Sequence, residues 1–448
     1  MKKRLILILA LAFVASFAFA AYAEVQNVKV SGDILVSGIS RDNFNLLKNT
    51  ALSQEDSESL FLSQTRLRVD ADLTDNVMVT IRLINERNWG VQDTVTNNND
   101  DIDLDLAYVN LKEFLYSPLS LKIGRQEVRL GNGFVIGNSR NYVAGVNIGA
   151  AASSIAGVPT DLTMKKAFDA IRVTLNYDPL VIDAIYSKID ENLNTQGVNR
   201  GPNDDINLYG INAKYDLDKK TSIEAYGLAR IDSDDGTTAG IDKPVKAYTV
   251  GALVSMNPIE RLKASGELAF QFANSRQVAG GQSDTQTNAV AFQTMLSYDL
   301  NMKYSPIVEL DYTYLGNRWN AMYYDQPGVM NNIVYTILPY TNLQALNLKG
   351  SMKPVEDITL LANWGWYRTG HKNRAFAAAN ANSDGTNYGA YTVTDQRSLC
   401  TALDLTATYD YTEDVQFGLT NGWLFPGAAF AGDQENAMQV IGTMKVTF

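Results

Sequence analysis

The chain has 448 residues, 46% of them hydrophobic and 19% charged, with a mean hydropathy of −0.15, a formal net charge of −11, one histidine and one cysteine. Negative charge spread without acidic or basic blocks excludes nucleic acid as a partner, and the lone Cys400 excludes a disulfide-stapled secreted fold. With one His371 in a polar stretch, RTGHKNRAF, no metal-ligand set or histidine-based catalytic site assembles, so no cofactor, no metal and no enzymatic activity are expected.

Residues 1–23, MKKRLILILALAFVASFAFAAYA, place Lys2, Lys3 and Arg4 before an apolar run that ends in Ala21-Tyr22-Ala23. That is the pattern of a cleaved secretory signal peptide. The mature chain, 24–448, is read as one domain, and loss of the three basic residues takes its formal charge from −11 to about −14. No later stretch offers the roughly 18 consecutive apolar residues of a spanning helix, which leaves strands as the only way through a bilayer.

From Val28 onward apolar and polar residues alternate with period two in eighteen segments, starting near 28, 60, 77, 102, 119, 167, 180, 206, 221, 245, 260, 288, 304, 342, 357, 398, 413 and 436. Short connections such as TDN (74–76), YSP (116–118), YDP (177–179) and YTED (411–414) carry turn chemistry. They alternate with longer loops rich in Asn, Gly, Asp and Ser. Helical spacing is sustained nowhere outside the signal peptide. The pattern predicts an all-β fold: an 18-stranded antiparallel transmembrane β-barrel with short periplasmic turns and long extracellular loops, in the bacterial outer membrane.

Taken in chain order, the third segment alternates cleanly. Val77, Val79, Ile81 and Leu83 share one face, and Thr80, Arg82 and Glu86 share the other. The fifth, LKIGRQEVRLGNGF (121–134), breaks the rule because Arg125, Glu127 and Arg129 continue the positions of Leu121 and Ile123. A bulge at Gly124 that exchanges the faces would turn these charges into the lumen and Val128 and Leu130 outward. The connection that follows, 130–166, is long, apolar and rich in small residues, and is expected to fold across the barrel mouth as a constriction. Aromatic residues gather beside the short turns (Phe114, Tyr116, Tyr177, Tyr215, Tyr298, Tyr304, Tyr409 and Tyr411), as an interfacial girdle requires. Acidic stretches at 97–105, 201–205 and 232–236 are dense enough in oxygen ligands for weak Ca²⁺ binding but read as solvated turns; DSDDG (232–236) begins like a calcium loop and lacks its closing bidentate Glu.

If the apolar faces meet lipid, parity sends Arg66, Arg68, Arg82, Arg172 and Arg230 into the lumen. Glu86, Asp105, Glu224, Glu267, Gln293, Glu309, Asp311, Lys349 and Asp404 join them there. Arg66, Arg68, Arg82, Arg125, Arg129 and Arg172 form a candidate basic ladder for anionic solutes, because guanidinium groups bind carboxylates bidentately and keep their charge. The competing reading is that these arginines pair with Glu127, Glu309, Asp311 and other acids along a filled wall.

The run LDLAYVNLKEFLYSPLSLKIGRQEVRLGNGFVIGN (104–138) resembles the alginate-export family of outer-membrane channels. Its likeness rests on Ala107, Tyr108, Val109 and Leu111, then Gly124, Arg125 and Gln126, then Gly131 and Gly137, with 65–87 resembling the preceding hairpin. Val128 and Asn132 depart from the family's pattern. The resemblance implies an 18-stranded channel. The chain's final segment, ending in Phe448, is similar to the C-terminal signal of bacterial outer-membrane proteins, which implies recognition by the barrel-assembly machinery.

The function expected is passive, selective diffusion of small polar or anionic solutes, including saccharides, by a protein whose other partners are outer-membrane lipid and lipopolysaccharide. The alternatives are dedicated export of an acidic, alginate-like polysaccharide, or a structural or adhesive protein with a plugged lumen. The sequence leaves the oligomeric state open.

Overall fold

Successive side chains of a strand point to opposite faces, so sustained period-two alternation builds strands with two distinct surfaces. The computed structural model describes residues 27–46, 48, 57–91, 101–139, 161–190, 205–233, 245–275, 285–338, 340–371, 395–430 and 432–448. The expected signal peptide, 1–23, lies outside them, as do 97–100, 201–204 and 234–236 of the acidic stretches read as solvated turns. The strands are β1 (Asn27–Asp42), β2 (Glu58–Thr74), β3 (Val77–Asn88), β4 (Asp103–Leu111), β5 (Leu119–Gln126) and β6 (Phe168–Asn176). Then come β7 (Leu180–Asp190), β8 (Ile206–Asp216), β9 (Thr221–Asp232), β10 (Val245–Ile259), β11 (Leu262–Ser275) and β12 (Thr285–Asp299). The last are β13 (Ile307–Leu315), β14 (Leu343–Val355), β15 (Ile358–Thr369), β16 (Ser398–Asp410), β17 (Val415–Pro426) and β18 (Ala437–Thr447). Every expected segment is present, and each begins within three residues of its expected start.

Each strand pairs antiparallel with its chain neighbours, and β1 pairs with both β2 and β18, which closes the sheet. Closure removes both sheet edges, as hydrocarbon demands of a spanning sheet. The faces are inverted relative to a soluble barrel. Ile81, Ile123, Ile211, Leu268, Leu348 and Leu405 are exposed outside, whereas Gln64, Asp183, Glu267, Asp311 and Asp404 are buried inside. An apolar surface running round the whole circumference belongs in a bilayer. The aromatics beside the short turns are exposed in one girdle. Stacked Phe61–Trp89 and tilted Tyr186–Tyr209 stand at the loop-side ends of their strands.

One expectation fails. The ladders on both sides of β5 run through Gly124 without a register shift, so there is no bulge. Gly124 is required for another reason: its φ is +121°, and a Cβ there would collide with the Ala107 carbonyl of β4. Strict alternation therefore keeps Arg125 on the outer face, cross-strand from Asp169, which it meets at 3.0 Å. Its place at the loop end of β5 explains why this is tolerated, since a charge on the lipid face costs least near the interface. A single turn-and-a-half of helix, α1 (Asn332–Ile337), forms between β13 and β14, where Ile333, Val334 and Ile337 are buried.

Candidate functional site

Among the described residues, three long segments leave the wall and enter the barrel, and Phe44, Leu46, Ala429 and Phe430 join their buried cluster. After Gln126 the chain departs from the β5 ladder, and 127–139 turns inward because Val128, Leu130, Phe134, Val135 and Ile136 find apolar cover there. Val128 and Leu130 are thus buried inside, against the expectation that they face lipid. The second segment is 161–167, the return to β6. The third, 316–342, carries α1 and is almost wholly buried. The middle of the expected constriction, 140–160, lies outside the described residues; its flanks 130–139 and 161–166 are inside the barrel.

The inserted segments pair with each other. Tyr323 N–H donates to the Val135 carbonyl at 2.9 Å, Gly137 N–H to the Tyr323 carbonyl at 2.7 Å, and Asp325 N–H to the Gly133 carbonyl at 2.7 Å. Phe134 stacks on Trp319, Phe168 meets Tyr323 edge-on, and Tyr324 lies flat on Tyr340 at 3.9 Å. Burial pushes the phenols of Tyr324 and Tyr340 above the ordinary tyrosine value, so both remain neutral hydrogen-bonding groups.

The wall holds this plug through polar side chains. Glu224 of β9 accepts from Gly131 N–H at 2.8 Å, and Glu267 of β11 from Asn132 N–H at 3.0 Å and the Tyr226 hydroxyl at 2.7 Å. Gln271 of β11 holds Asn320 by its backbone N–H and carbonyl, while Gln293 of β12 holds the Gln326 amide. Arg230 reaches the Tyr323 hydroxyl at 3.2 Å. At the start of α1, Asp404 accepts from Asn332 N–H at 2.6 Å, and the Asn331 amide donates to the Asn363 carbonyl at 2.7 Å. That close approach needs Gly365, since a Cβ there would strike Asn331 and Tyr367. Glu86 pins 161–167 to β3 by accepting from Met164 N–H and the Thr163 hydroxyl, both at 2.7 Å.

The arginine side of the barrel is less filled. Water reaches Arg66, Arg68 and Arg172 partially, and Arg129 is 49% exposed. These cations do not stand alone: Arg66 pairs with Asp33, Arg68 with Asp70, Arg82 with Asp105 and Glu127, and Arg172 with Asp183. Arg129 of the first inserted segment and Lys166 of the second share Asp325 of the third, at 3.0 and 2.8 Å. Across the lumen, Lys349 pairs with Glu309 and Asp311. Of the sequence candidates, Arg66, Arg68, Arg82, Arg172, Arg129 and Glu127 lie on this side and Arg125 does not.

Parity would also have found Asp33, Asp70 and Asp183, which share the inward face of β1, β2 and β7. The 316–342 segment was missed although its density of Trp, Tyr, Met and Ile is unusual for a solvated loop.

Comparison with known proteins places this geometry. Residues 334–443, α1 through most of β18, match the family described as alginate export; the resemblance read at 65–138 points to the same family from another part of the chain. No curated protein matches. Among solved structures, the chain is similar to three barrels of Pseudomonas aeruginosa. OpdK, solved with vanillate, is 9% identical, with 94% of this chain and 99% of that one covered and a TM-score of 0.55. OpdQ is 10% identical, with 95% and 98% covered and a TM-score of 0.56. OccK9 (OpdG) is 10% identical, with 95% and 99% covered and a TM-score of 0.58. Fold, outward apolar face and family match make this an outer-membrane barrel of the channel type.

Proposed function

We propose that the protein is a passive outer-membrane channel for small polar or anionic solutes. The observation that carries this reading is the asymmetry of the lumen. The inserted segments pack mainly against β9 to β17, with 161–167 tied to β1, β2 and β3 near their loop ends, while partly hydrated arginines line the wall deeper along β2 to β6. A guanidinium already paired with one carboxylate still presents free N–H donors, and an anion passing along the row can exchange for the resident acid. Such a site lowers the entry barrier without holding the solute tightly, which conduction requires. No step of this reading involves covalent chemistry.

A second reading, export of an acidic polysaccharide, is favoured by the alginate-export match over 334–443. Lipid and lipopolysaccharide are the partners proposed for the outer face. The exposed Phe448 ring, beside Gly32 at the β1–β18 seam, supports recognition by the assembly machinery.

Swelling of proteoliposomes in neutral sugars, monomeric uronates, small carboxylates and oligouronates tests the proposal. It expects uronates and small carboxylates to enter faster than neutral sugars of equal size. Entry of oligouronates at comparable rates would favour export, and no solute entry at all would favour a plugged, structural barrel.

A further inference from the structure

Each arginine of the hydrated wall is held by a carboxylate, but Lys122 in the same wall is not. Ile123 is exposed outward and Gln126 is buried inward, so alternation turns Lys122 of β5 into the lumen. It stands opposite Asn110 of β4 and Arg172 of β6. Three residues into β5, it is about 10 Å along the strand from the periplasmic end, beneath the inserted segments, the first of which leaves β5 only after Gln126. Among the described residues Lys122 Nζ makes no ion pair and no hydrogen bond, and its contact is the Tyr108 ring of β4, 4.7 Å from the ring centre. The Tyr108 hydroxyl and the Asn110 amide are likewise without a hydrogen-bond partner among the described residues. Tyr108 pairs with inward Thr80, so all three side chains share the lumen face, and all three are half-buried.

Two cations directly opposite each other in a sheet repel unless an anion joins them. The nearby carboxylates are already committed. Asp183 accepts from Arg172 at 2.8 and 2.7 Å and from the Thr174 hydroxyl at 2.6 Å, and Asp70 accepts from Arg68 at 2.7 and 2.9 Å and from the Thr80 hydroxyl at 2.6 Å. Neither is left for Lys122. Lys29 and Lys445 also lack an ion pair among the described residues, but they are exposed towards the periplasmic ends of β1 and β18, where water solvates them.

We infer that Lys122, Tyr108 and Asn110 form a solute-binding subsite on the periplasmic side of the plug, and that it takes a small polyhydroxy carboxylate. The ammonium supplies a point charge with three donors for the carboxylate, while the amide and the phenol each donate and accept, as hydroxyl groups require. At the arginines an entering anion has a resident acid to displace. At Lys122 it has none, so this is where it pauses. The inference rests on the solute reading for the sign of the charge, and it adds the subsite and the class of solute.

Saturation-transfer NMR on the purified full-length barrel, with gluconate, sorbitol and acetate as probes, tests binding without requiring conduction. Gluconate should bind more tightly than sorbitol, which lacks the carboxylate, and than acetate, which lacks the hydroxyls. Lys122→Gln should weaken gluconate about tenfold or more, the loss of one charge-assisted contact, whereas Lys122→Arg should stay within about threefold. Tyr108→Phe keeps the ring beside the cation and should weaken gluconate while leaving acetate unchanged. Lys29→Gln, an equal change of charge at the rim, should bind as wild type does, and heat-modifiability reports that each variant is folded. No gluconate binding by the wild type, binding unchanged in folded Lys122→Gln, an equal loss in Lys29→Gln, or sorbitol or acetate binding as well as gluconate would each overturn the inference. The two readings fail separately: a barrel that binds gluconate through Lys122 but passes no solute keeps the subsite and loses the channel, and an anion-conducting barrel that binds no gluconate does the reverse.

Discussion

Replacing Glu267 with alanine tests whether the tip of the first inserted segment obstructs the lumen. Glu267 is 2% exposed and takes the Asn132 N–H at 3.0 Å and the Tyr226 hydroxyl at 2.7 Å. Its removal leaves the buried Tyr226 hydroxyl and the half-buried Asn132 N–H without an acceptor, at about 1–3 kcal/mol each with the latter at the low end. Part of this is offset because a buried carboxylate no longer has to be desolvated, so the net loss to the docked loop is about 2–3 kcal/mol. With tenfold for every 1.4 kcal/mol, the undocked population should rise roughly 30- to 150-fold. Single-channel recording in planar bilayers should then show higher mean conductance and more open-channel noise. Glu267→Gln, which keeps an acceptor, should fall between alanine and wild type. A folded alanine variant with wild-type conductance and noise would refute the reasoning, because the loop tip would then not be held by Glu267 or not lie in the path.

Three further outcomes follow from the same structure. Asp325→Asn removes the one carboxylate shared by Arg129 and Lys166, so the anion preference should rise in reversal-potential measurements; because Asp325 is buried and serves two cations, the stability cost should be about 1–3 kcal/mol. Ile81→Arg puts a cation on the lipid face at mid-strand and should destabilise the barrel by about 2–4 kcal/mol in denaturant refolding into bilayers, whereas a change within about 0.5 kcal/mol would argue that this face does not meet lipid. Gly124→Ala meets both the Ala107 carbonyl and a positive φ, so the folded, heat-modifiable fraction should drop sharply, with about 1–3 kcal/mol of backbone strain alone.

The strands were legible because each has a lipid face and a lumen face, and that contrast writes period two into the sequence, as at Val77–Leu83 against Thr80 and Arg82. Turn residues marked the periplasmic ends for a similar local reason. What enters the lumen was not legible by the same rule. Trp319, Met322, Tyr323, Ile333 and Val334 have no periodicity to show, since they are covered on all sides by segments distant in the chain. Arg125 misled because parity speaks to facing and not to depth: near the loop rim, a charge paired with Asp169 can remain outside. Parity placed Arg66, Arg68, Arg82 and Arg172 on the inward face, but their carboxylate partners required the register, which sets Asp183 opposite Thr174, diagonal to Arg172, and Asp33 opposite Arg66.

The central claim is that the arginine-lined side of the lumen conducts and selects anions. Reversal potentials across a salt gradient, for wild type and for the Arg66→Gln, Arg68→Gln, Arg82→Gln triple variant, test it most directly. The account predicts an anion-selective wild type whose anion-to-cation permeability ratio falls toward or below unity in the triple variant. A ratio unchanged by the three substitutions would contradict it.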